Sequence, residues 1–246
     1  MQAYLMEKIE MDNVKEVKEY VGTGSRPMEK GRTPYDGLRP WSAITHGAGI
    51  LLSAIGTFFM LYKVIPMHGG AQIAGFCIFC ATSVILYTAS TLYHSIHTTV
   101  NGRILLRKID HMAVNLLIAG TYTPLCLTIL AGTAGTVILA LIWTLAVGSC
   151  LLSFFWINAP RKLTASVYIA LGWISIITVP MIYQAAGTQP LFWMILGGIL
   201  YTIGGVLYAI KWPGRNNPRF GCHEIFHVFI VLGTVAHYFM IYRCMA

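Results

Sequence analysis

Residues 222–242 read "CHEIFHVFIVLGTVAHYFMIY", and two readings compete for them. The segment His223–His227 has the form His-Glu-x-x-His, in which two histidines one helical turn apart hold zinc and the glutamate activates water. The run as a whole has the length and apolarity of the roughly 20 residues that cross a bilayer. A single such run would leave the choice open. A chain built from many of them is a membrane protein, and the histidines then lie at the end of a span.

Working outward, the same pattern recurs. Apolar runs fall at 43–65, 71–95, 110–131, 134–156, 163–183, 190–211 and 222–243, with Gly, Pro, Lys or Arg between them. Of the 246 residues, 56% are hydrophobic and 11% charged, against about 25% charged in soluble domains. The mean hydropathy is +0.65. These values specify an all-α membrane protein, a seven-transmembrane helical bundle. Residues 1–40 are polar and turn-rich and read as a partly disordered tail with no cleavable signal pattern. Residues 41–246 form the transmembrane domain. The cysteines lie scattered over apolar segments, and Cys77 and Cys80 read as buried structural residues rather than a redox pair.

Charge sets the orientation. The expected second, fourth and sixth loops carry Arg103, Arg107, Lys108, Arg161, Lys162, Lys211, Arg215 and Arg219, whereas "PMHGG", "AGTAG" and "QAAGTQP" carry no Lys or Arg. The basic loops belong in the cytoplasm, with the N-terminus, and the C-terminus lies outside. Residues 1–40 hold seven basic and seven acidic residues, so the net charge of +8 comes from the membrane portion. It marks topology and contact with anionic lipids, not nucleic-acid binding.

Beyond residue 40 the only acids are Asp110 and Glu224. An acid in a span is costly and by default functional. Each stands beside a histidine at the cytoplasmic end of its span. The second span ends in "YTASTLYHSIH" (87–97), where Ser90 and His94 are four residues apart and share a helix face, as do His223 and His227. Three helix ends thus bring three histidines, a serine and an aspartate to one layer. His94, His223 and His227 make a three-nitrogen set that suits catalytic zinc with one open position. Asp110 would support that set or orient the water. His46 could reach the same layer or serve helix packing. His68 and His97 read as solvated or interfacial, His111 points away from Asp110, and His237 lies roughly 15 Å along the helix from His227.

The residues quoted so far carry a resemblance. "STLYH" (90–94), "RKIDHMAVNLLIAGTYTP" (107–124) and "HEIFHVFIVLGTVAHY" (223–238) resemble hemolysin III proteins, which stand with the progestin and adipoQ receptors, including the adiponectin receptors. "ITHGAG" (44–49), "YIALGW" (168–173) and "GGILYTIGG" (197–205) add to it, so the likeness runs from Trp41 to Tyr242. One departure is "RPWSAITH" (39–46): such proteins usually show an acidic residue and an Asn shortly before the first-span His, whereas here Arg39 and Pro40 stand upstream and Ser42 lies four residues before His46. The resemblance implies a zinc-containing seven-helix protein with its N-terminus inside. It also implies that Glu224 need not be a base, so the match to His-Glu-x-x-His is coincidental. It further suggests ceramidase-like hydrolysis of an N-acyl lipid amide, with Asp110 handling the proton and Ser90 donating to the oxyanion, in the service of membrane lipid and fluidity homeostasis. A receptor-like sensor with structural zinc and a pore-forming cytolysin are the alternatives. A pore needs a continuous polar lining, which the fourth and fifth spans do not offer.

Overall fold

The computed structural model describes residues 38–66, 69–214, 217 and 219–244; the expected tail lies outside them, apart from its last residues, and so does His68. Among the described residues eight α-helices follow one another: α1 (Pro40–Val64), α2 (Gly70–Ser95), α3 (Val100–Leu127), α4 (Thr133–Phe155), α5 (Arg161–Trp173), α6 (Val179–Ala186), α7 (Thr188–Ile210) and α8 (Cys222–Cys244). A 3₁₀ turn, Ile174–Thr178, joins α5 to α6, and together they make one rod across the bundle. Consecutive rods pack on each other, α8 returns against α1, and α3 also touches α5 and α8.

Six of these rods are long and apolar enough to cross a membrane: α1, α2, α4, α5–α6, α7 and α8. The third apolar run departs from expectation. Its helix starts at Val100 rather than 110, because Thr99 caps it by accepting from the Gly102 N–H at 3.2 Å. The basic residues assigned to a loop therefore ride on its first turns. The helix carries Arg103, Arg107, Lys108, Asp110 and Asn115, too polar a set for the composition of a lipid-facing span. Its packing explains this. Touching four other helices, α3 runs through the interior, where little of its surface meets hydrocarbon. The outward faces are different: Leu51, Phe58 and Tyr62 on α1 are 63%, 65% and 78% exposed, an apolar surface that belongs against lipid.

Where helices meet, small residues let them approach. A Cβ on Gly204 of α7 would stand 2.7 Å from the Phe229 Cβ of α8, and one on Gly197 would stand 2.7 Å from His237 Nε2. The break between α5 and α6 follows from Pro180, which removes a backbone donor. The ladder changes to the 3₁₀ turn at Ile174, and the single Tyr122 hydroxyl proton from α3 is shared between Gly172 O at 2.7 Å and Leu171 O at 3.0 Å. No water is present in hydrocarbon to do the same job.

Candidate metal centre

The C-terminal end of α2 and the N-terminal end of α8 converge. His94 stands in the last turn of α2, and His223 and His227 occupy successive turns at the start of α8. One ligand nitrogen from each of the three lies within 4.8 Å of the others. His94 Nε2 and His223 Nε2 face each other at 3.2 Å, and the His94 and His227 ring centroids are 5.1 Å apart. His94 and His227 are buried. His223 Nδ1 is a buried atom that finds no hydrogen bond among the described residues. Imidazole nitrogens converging in an apolar interior suit a soft or borderline cation rather than a hard one. The cluster could hold a metal ion.

The first helix orients this set. His227 Nδ1 lies 3.3 Å from Ser42 O and 3.5 Å from Thr45 Oγ1. Donation of Nδ1–H to the carbonyl leaves Nε2 free to ligate, the usual arrangement behind a metal-bound imidazole. His46, one turn after Ser42, stacks on His227 with centroids 3.6 Å apart and planes 9° from parallel. Neither of its ring nitrogens makes a hydrogen bond of ordinary geometry among the described residues. His46 therefore supports His227 by stacking and stands outside the three-nitrogen set.

Glu224 faces away from the histidines. Its Oε1 accepts from Ser42 Oγ at 2.8 Å and pairs with Arg39 Nε at 2.9 Å, while Oε2 accepts from the Gly221 N–H at 2.9 Å. The last bond is the glutamate half of a capping box at the N-terminus of α8. With 1% exposure and both oxygens engaged, Glu224 is an anchor between α1 and α8. The His-Glu-x-x-His spacing thus places two histidines on one face and the glutamate on another. Arg39 and Ser42, where the chain departs from its resemblance, supply this anchor.

Asp110 is half-buried and lies outside the three-nitrogen cluster. Its carboxyl faces the Ser90 hydroxyl, one turn before His94. Ser90 Oγ is buried and makes no hydrogen bond of ordinary geometry among the described residues. The structure thus brings His94, His223 and His227 together and sets Asp110 and Ser90 beside them as a pair. His111 and His237 stay out of the cluster, and His97 is exposed. Reasoning from spacing missed two neighbours. One is Thr45, whose hydroxyl reaches His227. The other is Tyr208 of α7, whose ring is 5.6 Å from His223. Ser42 and His46 carried a signal, four residues apart like the other pairs; Tyr208 carried none.

A sequence model described as "Haemolysin-III related" matches residues 40–238. The chain is 36% identical over 200 residues to the Hemolysin-3 homolog of Bacillus subtilis (strain 168), covering 81% of this chain and 91% of the relative. It is 34% identical over 201 residues to Hemolysin-3 of Bacillus cereus, covering 81% and 88%. More distantly, it is 26% identical over 184 residues to the progestin and adipoQ receptor-like protein 1 of Caenorhabditis elegans, covering 67% and 42%.

Proposed function

Because this chain belongs to the haemolysin-III-related family, within the wider group of progestin and adipoQ receptors, we propose that it is a zinc-dependent hydrolase of N-acyl lipid amides in the cell membrane. In this reading α3 crosses the bilayer as an interior seventh span, the N-terminus is cytoplasmic and the C-terminus extracytoplasmic. His94, His223 and His227 hold the zinc, and the described residues fit it: three neutral nitrogens, a carboxylate nearby, and His227 oriented through Nδ1. When bound, zinc supplies Lewis-acid polarisation of a carbonyl and lowers the pKa of a water to about 7. The Asp110 carboxylate takes the proton of the attacking water and returns it to the leaving amine nitrogen. Ser90 Oγ–H donates to the developing oxyanion.

The observation that carries the reading is a groove whose inner end is separated from this cluster by Tyr87 and His46. Between α1 and α8 runs an apolar cavity of about 320 Å³ lined by Leu52, Phe59, Val231, Val235 and Phe239, with Gly49 and Tyr87 at one end. Leu52, Phe59 and Phe239 are exposed on the lipid side. The Tyr87 ring is 5.1 Å from His46, which lies on His227. An acyl chain entering from the bilayer would have its carbonyl end beside the histidines. The test is release of fatty acid from ceramide and other N-acyl lipids by purified protein, with and without a zinc chelator. Turnover that chelation removes and added zinc restores supports the hydrolase. Zinc-loaded protein that turns over none of these lipids supports a sensor with structural zinc.

A further inference from the structure

The groove between α1 and α8 begins where the histidine layer ends. Its wall on α1 runs from Gly49 to Met60 and its wall on α8 from Val231 to Tyr242, so the two faces start one helical turn after His46 and His227. Two side chains separate the cavity from the cluster. The Tyr87 ring meets His46 with centroids 5.1 Å apart, and His46 stacks on His227 at 3.6 Å. Tyr87 is wedged in place: a Cβ on Gly49 would stand 2.6 Å from its ring, and its hydroxyl donates to Thr234 Oγ1 at 2.6 Å. His46 is held differently. It is 3% exposed, and neither ring nitrogen makes a hydrogen bond of ordinary geometry among the described residues. Packed rings position it, Tyr87 on the groove side and His227 on the cluster side. What packs on Tyr87 from the groove therefore bears on a ring of the metal set through two contacts.

We propose that the groove receives one acyl chain of a bilayer lipid, and that Tyr87 and His46 couple the presence of that chain to metal held by His94, His223 and His227. The coupling rests on the metal centre of the reading above and needs no turnover, so it serves a lipid sensor as well as a hydrolase. The groove is continuous with the lipid-facing surface, since Leu52, Phe59 and Phe239 on its rim are exposed. Its hydroxyls are turned to the protein: Tyr238 donates to Ser53 O at 3.3 Å, and Thr234 donates to Ile230 O at 3.0 Å while accepting from Tyr87. An apolar occupant fits such a wall. From Gly49 to Met60 α1 rises about 16 Å, the extended length of about a dozen carbons joined by bonds of about 1.5 Å. About 320 Å³ over that length is a cross-section of about 20 Å², the width of one extended chain. A chain lying there adds dispersion contacts to the face of Tyr87 that lines the groove, and so restrains Tyr87, His46 and His227 together. By linkage, metal then favours the chain by the same factor as the chain favours metal.

The experiment titrates full-length protein with Co²⁺, a visible-spectrum probe of the site, with and without a phosphatidylcholine of twelve-carbon chains. A sterol-based detergent keeps other alkyl chains out of the groove, and a lipid with no amide keeps the measurement apart from hydrolysis. The lipid should tighten Co²⁺ binding by about 5-fold or more and shift its absorption bands, and Co²⁺ should tighten lipid binding by the same factor. His46→Ala should bring both factors to one while Co²⁺ and lipid each still bind. His46→Phe, which keeps a ring between Tyr87 and His227, should retain most of the coupling. Val235→Trp, which fills the groove, should abolish the lipid effect and still load with Co²⁺. Lipid that binds without changing Co²⁺ affinity, or coupling that survives His46→Ala, overturns the proposal and leaves the metal centre standing. Protein that takes up no Co²⁺ overturns both. Tighter binding of free dodecanoate than of the phospholipid overturns the choice of a bilayer lipid. Coupling in protein that turns over no N-acyl lipid upholds the proposal and sinks the hydrolase.

Discussion

Asp110, three turns into α3, and Glu224, in the first turn of α8, each stand beside a histidine, and their surroundings give them opposite tasks. Glu224 has both carboxylate oxygens engaged, by Arg39, Ser42 and Gly221. It cannot take a proton from water without breaking that anchor. Asp110 faces a serine hydroxyl with no other settled partner. Glu224→Gln should therefore keep the metal and most turnover while lowering thermal stability by about 1–3 kcal/mol, since one amide cannot accept from all three donors. Asp110→Asn should keep the metal and lose about 100-fold or more in turnover. Metal content, melting temperature and fatty-acid release on both variants decide the matter, and the reverse pattern would restore the zincin reading of "HEIFH". At this scale the sequence was informative wherever a helical period links two polar residues, as at Ser90/His94 and His223/His227. It was silent on partners that only packing brings near, such as Tyr208 against His223.

At the scale of elements, the apolar runs at 43–65 and 134–156 are close to the helices observed, Pro40–Val64 and Thr133–Phe155, because lipid-facing helices must be apolar along their length. The third helix begins at Val100, about ten residues before its apolar run. An interior helix is free of that requirement, so hydropathy alone could not find its first turns, and the Thr99 cap was the signal that could. The break at Ile174–Thr178 was legible only as Pro180; the hydroxyl that makes it tolerable, Tyr122, sits some fifty residues earlier on α3. Tyr122→Phe removes the hydroxyl that Leu171 O and Gly172 O share in an apolar interior, and should cost about 1–3 kcal/mol in detergent-solubilised unfolding. A variant as stable as wild type would mean that the backbone finds another partner there. Gly204→Leu should separate α7 from α8 and lower stability by a similar amount, about 1–3 kcal/mol.

For the whole molecule, the account joins orientation, metal and lipid at one end of the bundle. Arg107, Arg161 and Arg39 share the end at which His94, His223 and His227 converge, so the side of the membrane that holds the basic residues also holds the cluster. A cysteine introduced at Arg161 in an otherwise cysteine-free chain should react with an impermeant reagent only after the membrane is opened. Labelling in intact cells would put the cluster on the outer side. The central claim is that three imidazoles from α2 and α8 form one metal site, and metal analysis tests it most directly. Purified protein should hold close to one zinc per chain, and His223→Ala/His227→Ala, folded by size-exclusion and circular dichroism, should hold none. Full zinc retention in that double variant, or wild-type protein that takes up no zinc, would contradict the account.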